Sequence, residues 1–223
     1  MFTGIIESIG TLKKIERRGE DIRLTVSSGK LDLSDVKLGD SIATNGVCLT
    51  VVECLSDGYV ADISAETVNL TGFGRYQVGQ AVNLEKAVTP TTRLGGHMVS
   101  GHVDGIASVD ERLQRGKAIE FWLTPPAELA RYIAHKGSIT IDGVSLTVNE
   151  VDGIRFRLTI VPHTASETTL LNLKAGDSVN IEVDLIARHL ERLMGLGAQE
   201  SDDNHGKVSN VTMDLLARSG FIK

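Results

Sequence analysis

Apolar and polar positions alternate over much of this chain, with breaks at Gly, Asp and Asn. Ser41–Val52, Tyr59–Ile63 and Arg155–Ile160 are β-branched or alternating and bounded by turn residues. A period of two with such punctuation predicts short strands joined by tight turns. Asp57-Gly58 and Asp152-Gly153 read as type I′ hairpin turns. A helical turn is predicted within Pro125–Tyr132. Past Glu182 the period lengthens. Leu185, Ile186, Leu190, Leu193 and Met194 fall on one helical face, and Gly195 and Gly197 end that helix. The stretch Gln199–Lys207 is polar and reads as a linker. Val211, Leu215, Leu216 and Phe221 then predict a second amphipathic helix, with Gly220 near its end. So short a helix is marginal alone and is expected to pack on its own chain or on a neighbouring subunit.

The pattern occurs twice. Asn45-Gly46-Val47-Cys48-Leu49-Thr50-Val51 recurs 97 residues later as Asp142-Gly143-Val144-Ser145-Leu146-Thr147-Val148. The same offset of 97 sets Met1–Gly4 on Met98–Gly101, Ile22–Val26 on Ile119–Leu123, and Gly79–Glu85 on Gly176–Glu182. One constant offset over a whole module marks an internal duplication. The hairpin dipeptides differ, since Asp57-Gly58 answers Asp152-Gly153 at an offset of 95. That predicts a slip of two, which keeps the same side chains facing inward. Several short strands in each copy predict a closed antiparallel barrel, because closure removes exposed edges. The expected class is all-β: two similar six-stranded barrels, 1–97 and 98–184, with a helical tail over 185–223.

Composition narrows the function classes. The chain has 223 residues, a formal net charge of -6 and 41% hydrophobic residues, an ordinary globular balance. An acidic chain without a dense Lys/Arg cluster argues against a nucleic-acid binder. No apolar run approaches the roughly 20 residues that span a bilayer. The opening Met1–Glu7 lacks a basic region before a long apolar core, so it reads as a strand start, not a secretory signal. The two cysteines, Cys48 and Cys54, lie about 20 Å apart on one strand and cannot bond there. A reducing, cytoplasmic setting is the natural expectation.

Candidate chemistry gathers at two places. Cys48 and Thr50 face the same side of a strand, as do Ser145 and Thr147 in the second copy. A lone Cys in such a strand ordinarily behaves as a small hydrophobe. Two matched polar pairs on the same barrel face point equally to a ligand wall. The second place is Gly95–Asp104, which carries His97 and His102. Their spacing matches no metal motif, and the run reads otherwise as a linker with surface histidines. Between the copies, His102 replaces Ile5, Lys136 replaces Gly39, Asp142 replaces Asn45 and Ser145 replaces Cys48. Similar pockets with different proton chemistry are what two like sites with different roles require. Asp184 reads as the cap of the helix that follows it.

The opening MFTGIIE, then NGVCLTV, GGHMVSGHVDG and IDGVSLTVNEV, in that order and spacing, resemble the riboflavin synthases built from two lumazine-binding repeats. The resemblance covers nearly the whole chain. It implies two Greek-key barrels and C-terminal helices that help form a homotrimer. It implies the dismutation of two 6,7-dimethyl-8-ribityllumazine molecules, one giving and one accepting a four-carbon unit. The products are riboflavin and 5-amino-6-(ribitylamino)uracil. It implies no metal and no organic cofactor, and it leaves open an association with lumazine synthase.

By position, the resemblance makes Gly4, Ile5 and Ile6 a wall of the first pocket, beside Cys48, Leu49 and Thr50. Asp62, Ile63, Ser64, Ala65, Glu66 and Thr67 complete it. Gly101, His102 and Val103 with Ser145, Leu146 and Thr147 form the second pocket. Lys136 and Ile160, Val161, Pro162, His163, Thr164 and Ala165 add contacts there. Phe2, Thr3, Ser41, Cys48, His102, Asp142 and Asp184 are expected to influence rate. His102 is the candidate base for the 7-methyl proton, and water, Cys48 or Ser41 the candidate nucleophile at C7. Two other readings compete: a non-catalytic relative that carries lumazine or flavin, and a structural barrel with no small ligand. Retention of Thr3, Ser100-Gly101-His102 and Asp184 favours the enzyme.

Overall fold

The computed structural model describes residues 1–195. The predicted linker and second helix lie outside the described residues. Two compact units divide the chain, Met1–Arg188 and His189–Lys223. The first unit holds both barrels. Strands β1 (Ser8–Arg18), β2 (Asp21–Ser27), β3 (Ser41–Thr44), β4 (Val47–Leu55), β5 (Gly58–Ile63) and β6 (Ala81–Lys86) close in the order β1-β2-β5-β4-β3-β6. Strands β7 (Gly105–Arg115), β8 (Ala118–Thr124), β9 (Ser138–Ile141), β10 (Val144–Asp152), β11 (Arg155–Ile160) and β12 (Ser178–Val183) close in the same Greek-key order. All pairs are antiparallel.

Alternation decides what fills each barrel. In β4, Val47, Leu49 and Val51 are buried, while Cys48 is half-buried and Thr50 exposed. The inward residues join Leu24, Ile42, Tyr59 and Leu84 in the first core; Phe121, Ile139, Phe156 and Ile181 centre the second. A small six-stranded barrel is filled by such side chains. Cys48, Thr50, Ser145 and Thr147 point instead to the outer wall.

The strands keep the offset of 97 throughout, which corrects the expected slip at the hairpin. Cys54 pairs with Tyr59 and Val151 with Phe156, both partners moved by 97. The bulges match too, at Val51/Glu53 and at Val148/Glu150. The turns are Ser56-Asp57 and Gly153-Ile154, so the two Asp-Gly dipeptides occupy different turn positions. Gly58 answers Arg155, and a Cβ on Gly58 would lie 1.9 Å from the Val26 carbonyl oxygen. That glycine serves close approach, not turn geometry. The turns with positive φ at both central residues are Asn45-Gly46 (47° and 80°) and Asp142-Gly143 (44° and 83°). These carry the type I′ signature.

Short helices cover the barrel ends. Helix α1 (Ala65–Leu70) starts at Ser64, whose side chain accepts from Thr67 N. Helix α2 (Pro162–Ser166) begins with proline, whose missing N–H costs nothing there. The turn expected near Pro125 is a 3-10 helix over Ala127–Tyr132. Helix α3 (Leu185–Met194) follows β12 and ends at Gly195, φ 68°. Asp184 caps it, its carboxylate accepting from Ile186 N at 2.9 Å. Ile186, Leu190, Leu193 and Met194 are exposed.

Candidate functional site

The two copies meet along a seam made of equivalent residues. Phe2 and Val99, 97 apart, exchange backbone hydrogen bonds of 2.8 and 3.1 Å. Gly46 and Gly143 lie back to back. Asn83 Nδ2 donates to the Asp142 carbonyl and Asn180 Nδ2 to the Asn45 carbonyl, each at 2.9 Å. These contacts describe a local two-fold axis between the barrels.

That axis crosses the segments predicted as pocket walls. Ser145 N donates to the Gly4 carbonyl at 2.8 Å, and Cys48 N donates to the Gly101 carbonyl at 2.9 Å. A Cβ on Gly4 would lie 2.5 Å from Ser145 Cβ, and one on Gly101 2.7 Å from Cys48 Cβ. Both glycines have positive φ and closely approach a neighbour, two needs that only glycine meets. Ile6 packs on the second core and Val103 on the first. The sequence reading set Gly4–Ile6 beside Cys48–Thr50. The structure sets it beside Ser145, and sets Gly101–Val103 beside Cys48. Each wall segment crosses because it precedes its own first strand and runs along the seam.

Two buried glutamates latch those segments. Glu85 accepts from Thr3 N, Thr3 Oγ1 and Gly4 N at 2.7, 2.6 and 2.9 Å. Glu182 accepts from Ser100 N, Ser100 Oγ and Gly101 N at 2.7, 2.6 and 3.0 Å. Burial pushes both carboxyls above the usual range, and the three hydrogen bonds oppose the shift. Sequence reasoning missed this pair. A Glu at the same place in both copies, after the Val-Asn-Leu run of β6 and the Val-Asn-Ile run of β12, was the available signal. Thr3 is thereby a latch residue, buried with its hydroxyl committed to Glu85.

The remaining predicted residues fall into three groups. On the outer wall of the first barrel lie Cys48 (half-buried), Thr50, Asp62, Ser64, Ala65, Glu66 and Thr67, the last five along β5 and α1. On the second lie Ser145, Thr147, Val161, Pro162, His163 and Thr164, while Leu146 is half-buried against the second core. Leu49, Ile63, Ile160 and Ala165 are buried in the cores, so their side chains face away from the outer wall. Ile5 is half exposed and His102 is exposed, at equivalent places over opposite barrels. Lys136 is exposed with φ 64°, where the first copy has Gly39 at φ 91°. A lysine held in the left-handed region costs about 1 kcal/mol, the kind of strain retained at functional positions.

Two calls land elsewhere. Asp142 sits in the seam, its carboxylate accepting from Asn180 N at 2.8 Å, as Asn45 accepts from Asn83 N at 2.7 Å. Its burial raises the pKa to about 7. Ser41 lines a cleft of about 620 Å³ with Thr3, Glu7, Glu85, Lys86 and Arg93, a cleft that does not include Cys48. Ser41 nonetheless faces Thr50 across β3 and β4, one step from the cysteine. Sequence reasoning had no role for His97 beyond a linker. The structure half-buries it, with Nδ1 2.6 Å from Ser145 Oγ. Among the described residues no three His, Cys, Asp or Glu side chains converge as metal ligands.

The lumazine binding domain family matches this chain twice, over residues 3–87 and 100–184. Riboflavin synthase of Photobacterium phosphoreum is 54% identical over 222 residues, covering all of both chains. That of Bacillus subtilis is 38% identical over 221 residues, covering 99% of this chain and all of its own. Among solved structures, LumP complexed with riboflavin superposes with a TM-score of 0.77 at 29% identity, covering 82% of this chain and all of that one. LumP complexed with 6,7-dimethyl-8-(1'-D-ribityl) lumazine gives 0.75 at 28%, covering 82% and 99%. Two lumazine-binding barrels in tandem and full-length identity of this degree place the chain in the riboflavin synthase family.

Proposed function

We propose that each crossed wall holds one 6,7-dimethyl-8-ribityllumazine and that the two react by transfer of a four-carbon unit. The activity is that of a riboflavin synthase, giving riboflavin and 5-amino-6-(ribitylamino)uracil. The observation that carries the two-site reading is the crossing itself. Gly101–Val103 with Cys48–Thr50, and Gly4–Ile6 with Ser145–Thr147, form two equivalent backbone frames. Two equivalent frames suit two copies of one molecule. The side chains on them differ, Cys48 and His102 on one and Ser145 and Ile5 on the other, as donor and acceptor roles require.

Within this reading the chain's residues bind, orient and move protons. Holding two lumazines face to face contributes about 7–11 kcal/mol towards lowering the barrier, and proton transfer adds roughly 10²–10⁴-fold. His102 takes a proton from the 7-methyl group of one lumazine. A nucleophile, which is water, Cys48 or Ser41, adds at C7 of the other. Two carbon–carbon bonds join the lumazines as a pentacyclic adduct, the nucleophile leaving C7 as the second bond closes, and the adduct fragments into riboflavin and 5-amino-6-(ribitylamino)uracil. Lys136 and the segments 62–67 and 160–165 add contacts to ring or ribityl oxygens.

In this reading the productive pair of walls comes from the first barrel of one subunit and the second barrel of its neighbour in a homotrimer. The exposed apolar residues Ile186, Leu190 and Leu193 support α3 as an assembly surface. Docking to lumazine synthase and a cytoplasmic setting belong to the same reading, the latter supported by two free cysteines. No helix of the described residues is long and apolar enough to cross a membrane.

The test is the turnover of Cys48→Ala and His102→Gln beside their lumazine affinities. Positioning outweighs proton transfer here, so each variant should lose about 10–100-fold in kcat. Binding should change by less than about threefold. Wild-type rates in both variants would remove these residues from the reaction.

A further inference from the structure

The outer wall of the second barrel carries a polar network that the first barrel lacks. Ser145 and Thr140 face each other across β10 and β9. The His97 imidazole spans them, Nδ1 at 2.6 Å from Ser145 Oγ and Nε2 at 3.3 Å from Thr140 Oγ1. In the first barrel the same two positions are Cys48 and Ala43, again facing each other across β4 and β3. They pack in an apolar cluster with Phe2, Val99 and Ala87. Ala87 is the equivalent of Asp184.

We infer that His97 is a positioning residue: it holds the Ser145 hydroxyl proton on its ring, so that Ser145 offers an oxygen lone pair to the lumazine on the second wall. This rests on the reading of Ser145–Thr147 as a lumazine wall. A neutral imidazole has one donor and one acceptor nitrogen. With Nδ1 accepting from Ser145 Oγ, Nε2–H donates to Thr140 Oγ1, and all three groups are satisfied. Protonation gives Nδ1 a hydrogen. Ser145 Oγ then accepts from the ring, and its own hydrogen turns to the pocket. The hydroxyl changes from acceptor to donor. Cys48 on the first wall packs against Phe2, Ala43 and Val99 instead, so the two walls differ in polarity as well as in side chain.

The surroundings favour the neutral ring. Burial holds the His97 pKa below its ordinary value, and the charge of Asp184, at the end of β12, opposes that. Asp184 is the charge that raises the ring's pKa; the other carboxylate nearby is Glu182, opposite Thr140 across β12 and β9, which is committed to Ser100 and Gly101. Thr140 from β9 and Ser145 from β10 are the ring's neutral neighbours, and the opening segment contributes the Thr3 carbonyl, which accepts from His97 N. The acceptor state of Ser145 is therefore the state at neutral pH, and it is lost as pH falls through the His97 pKa.

The test compares wild type, His97→Ala, His97→Gln, Ser145→Ala and the His97→Ala/Ser145→Ala double variant. Conversion of 6,7-dimethyl-8-ribityllumazine is followed from pH 5 to 8, with its affinity measured by fluorescence. Each single variant is expected to lose about tenfold in kcat with affinity within about threefold. The ratio of wild-type to variant kcat should fall as pH falls for both His97 variants, a comparison in which the His102 base cancels, and the double variant should be no worse than Ser145→Ala, as for residues that act through one another. Multiplying losses, a ratio that does not change with pH, or a loss carried by KM alone would overturn the proposal. The ring-nitrogen NMR shifts of His97, titrated in wild type and Ser145→Ala, read the coupling without turnover. A displaced titration in Ser145→Ala supports it, and superimposable curves overturn it. Should wild type bind lumazine and form no riboflavin, the proposed function fails while this titration still decides the contact.

Discussion

Gly143→Ala is expected to destabilise the protein by about 2–4 kcal/mol, and Gly46→Ala by a similar amount. Both glycines have φ near 80°, where a Cβ costs about 1 kcal/mol. The added methyl also has nowhere to go. On Gly46 it would lie 2.7 Å from Gly143 N, and on Gly143 2.8 Å from Gly46 N. These are backbone atoms, which move only with their strands, and such overpacking costs about 1–3 kcal/mol. A domain with about 5–15 kcal/mol of net stability feels such a loss. The two costs fall at one contact, so the double variant should lose less than the sum of the singles. Urea unfolding with matched m-values measures this. Because Cys48 and Ser145 are two residues along β4 and β10, lumazine affinity should fall for both walls at once.

The second large effect concerns pH. Asp142→Asn should raise stability at pH 8 and flatten its dependence between about pH 4 and 7. Burial raises the Asp142 pKa from 3.8 to about 7, with one backbone hydrogen bond from Asn180 opposing it. A group whose folded pKa lies above its unfolded value binds more protons when folded. Its contribution is fully present below the unfolded pKa and is lost as pH rises through the folded one. At about 1.4 kcal/mol per unit the whole loss is roughly 4 kcal/mol above pH 7. Asparagine carries no such term, and Asn45 already makes the equivalent bond to Asn83 from the same left-handed backbone. Recovery of about 1–3 kcal/mol at pH 8 is expected, with kcat within about threefold. A parallel stability curve would contradict the burial argument. A collapse of kcat at constant affinity would return Asp142 to the reaction.

Much of this arrangement was legible in the chain. The alternation over Val47–Val51 separates core from wall, and its recurrence 97 residues on locates the second barrel. Cys48, Thr50, Ser145 and Thr147 are found because strand parity is a local property. Register at the β4–β5 hairpin was misread because Asp-Gly is a strong turn signal, yet the hydrogen-bonded ladder keeps the offset of the whole repeat. The crossing of Gly4–Ile6 onto the opposite barrel left no local mark. It depends on how two barrels pack about an axis, and no periodicity records that. His97 was hidden for a related reason: it lies between the repeats, so comparing the copies gives it no partner. Glu85 and Glu182 were visible as a charge repeated at one place in β6 and β12, but their meaning needed the backbone N–H groups that close on them.

On the proposed reading, two equivalent walls, the first of one subunit and the second of its neighbour, consume two identical molecules to make one flavin. Incubation with 6,7-dimethyl-8-ribityllumazine, with lumazine, riboflavin and 5-amino-6-(ribitylamino)uracil quantified together, tests it most directly. The expected result is two lumazines lost for each riboflavin and each pyrimidine formed. Tight lumazine binding with no riboflavin absorbance, or riboflavin formed without the pyrimidine, would contradict it.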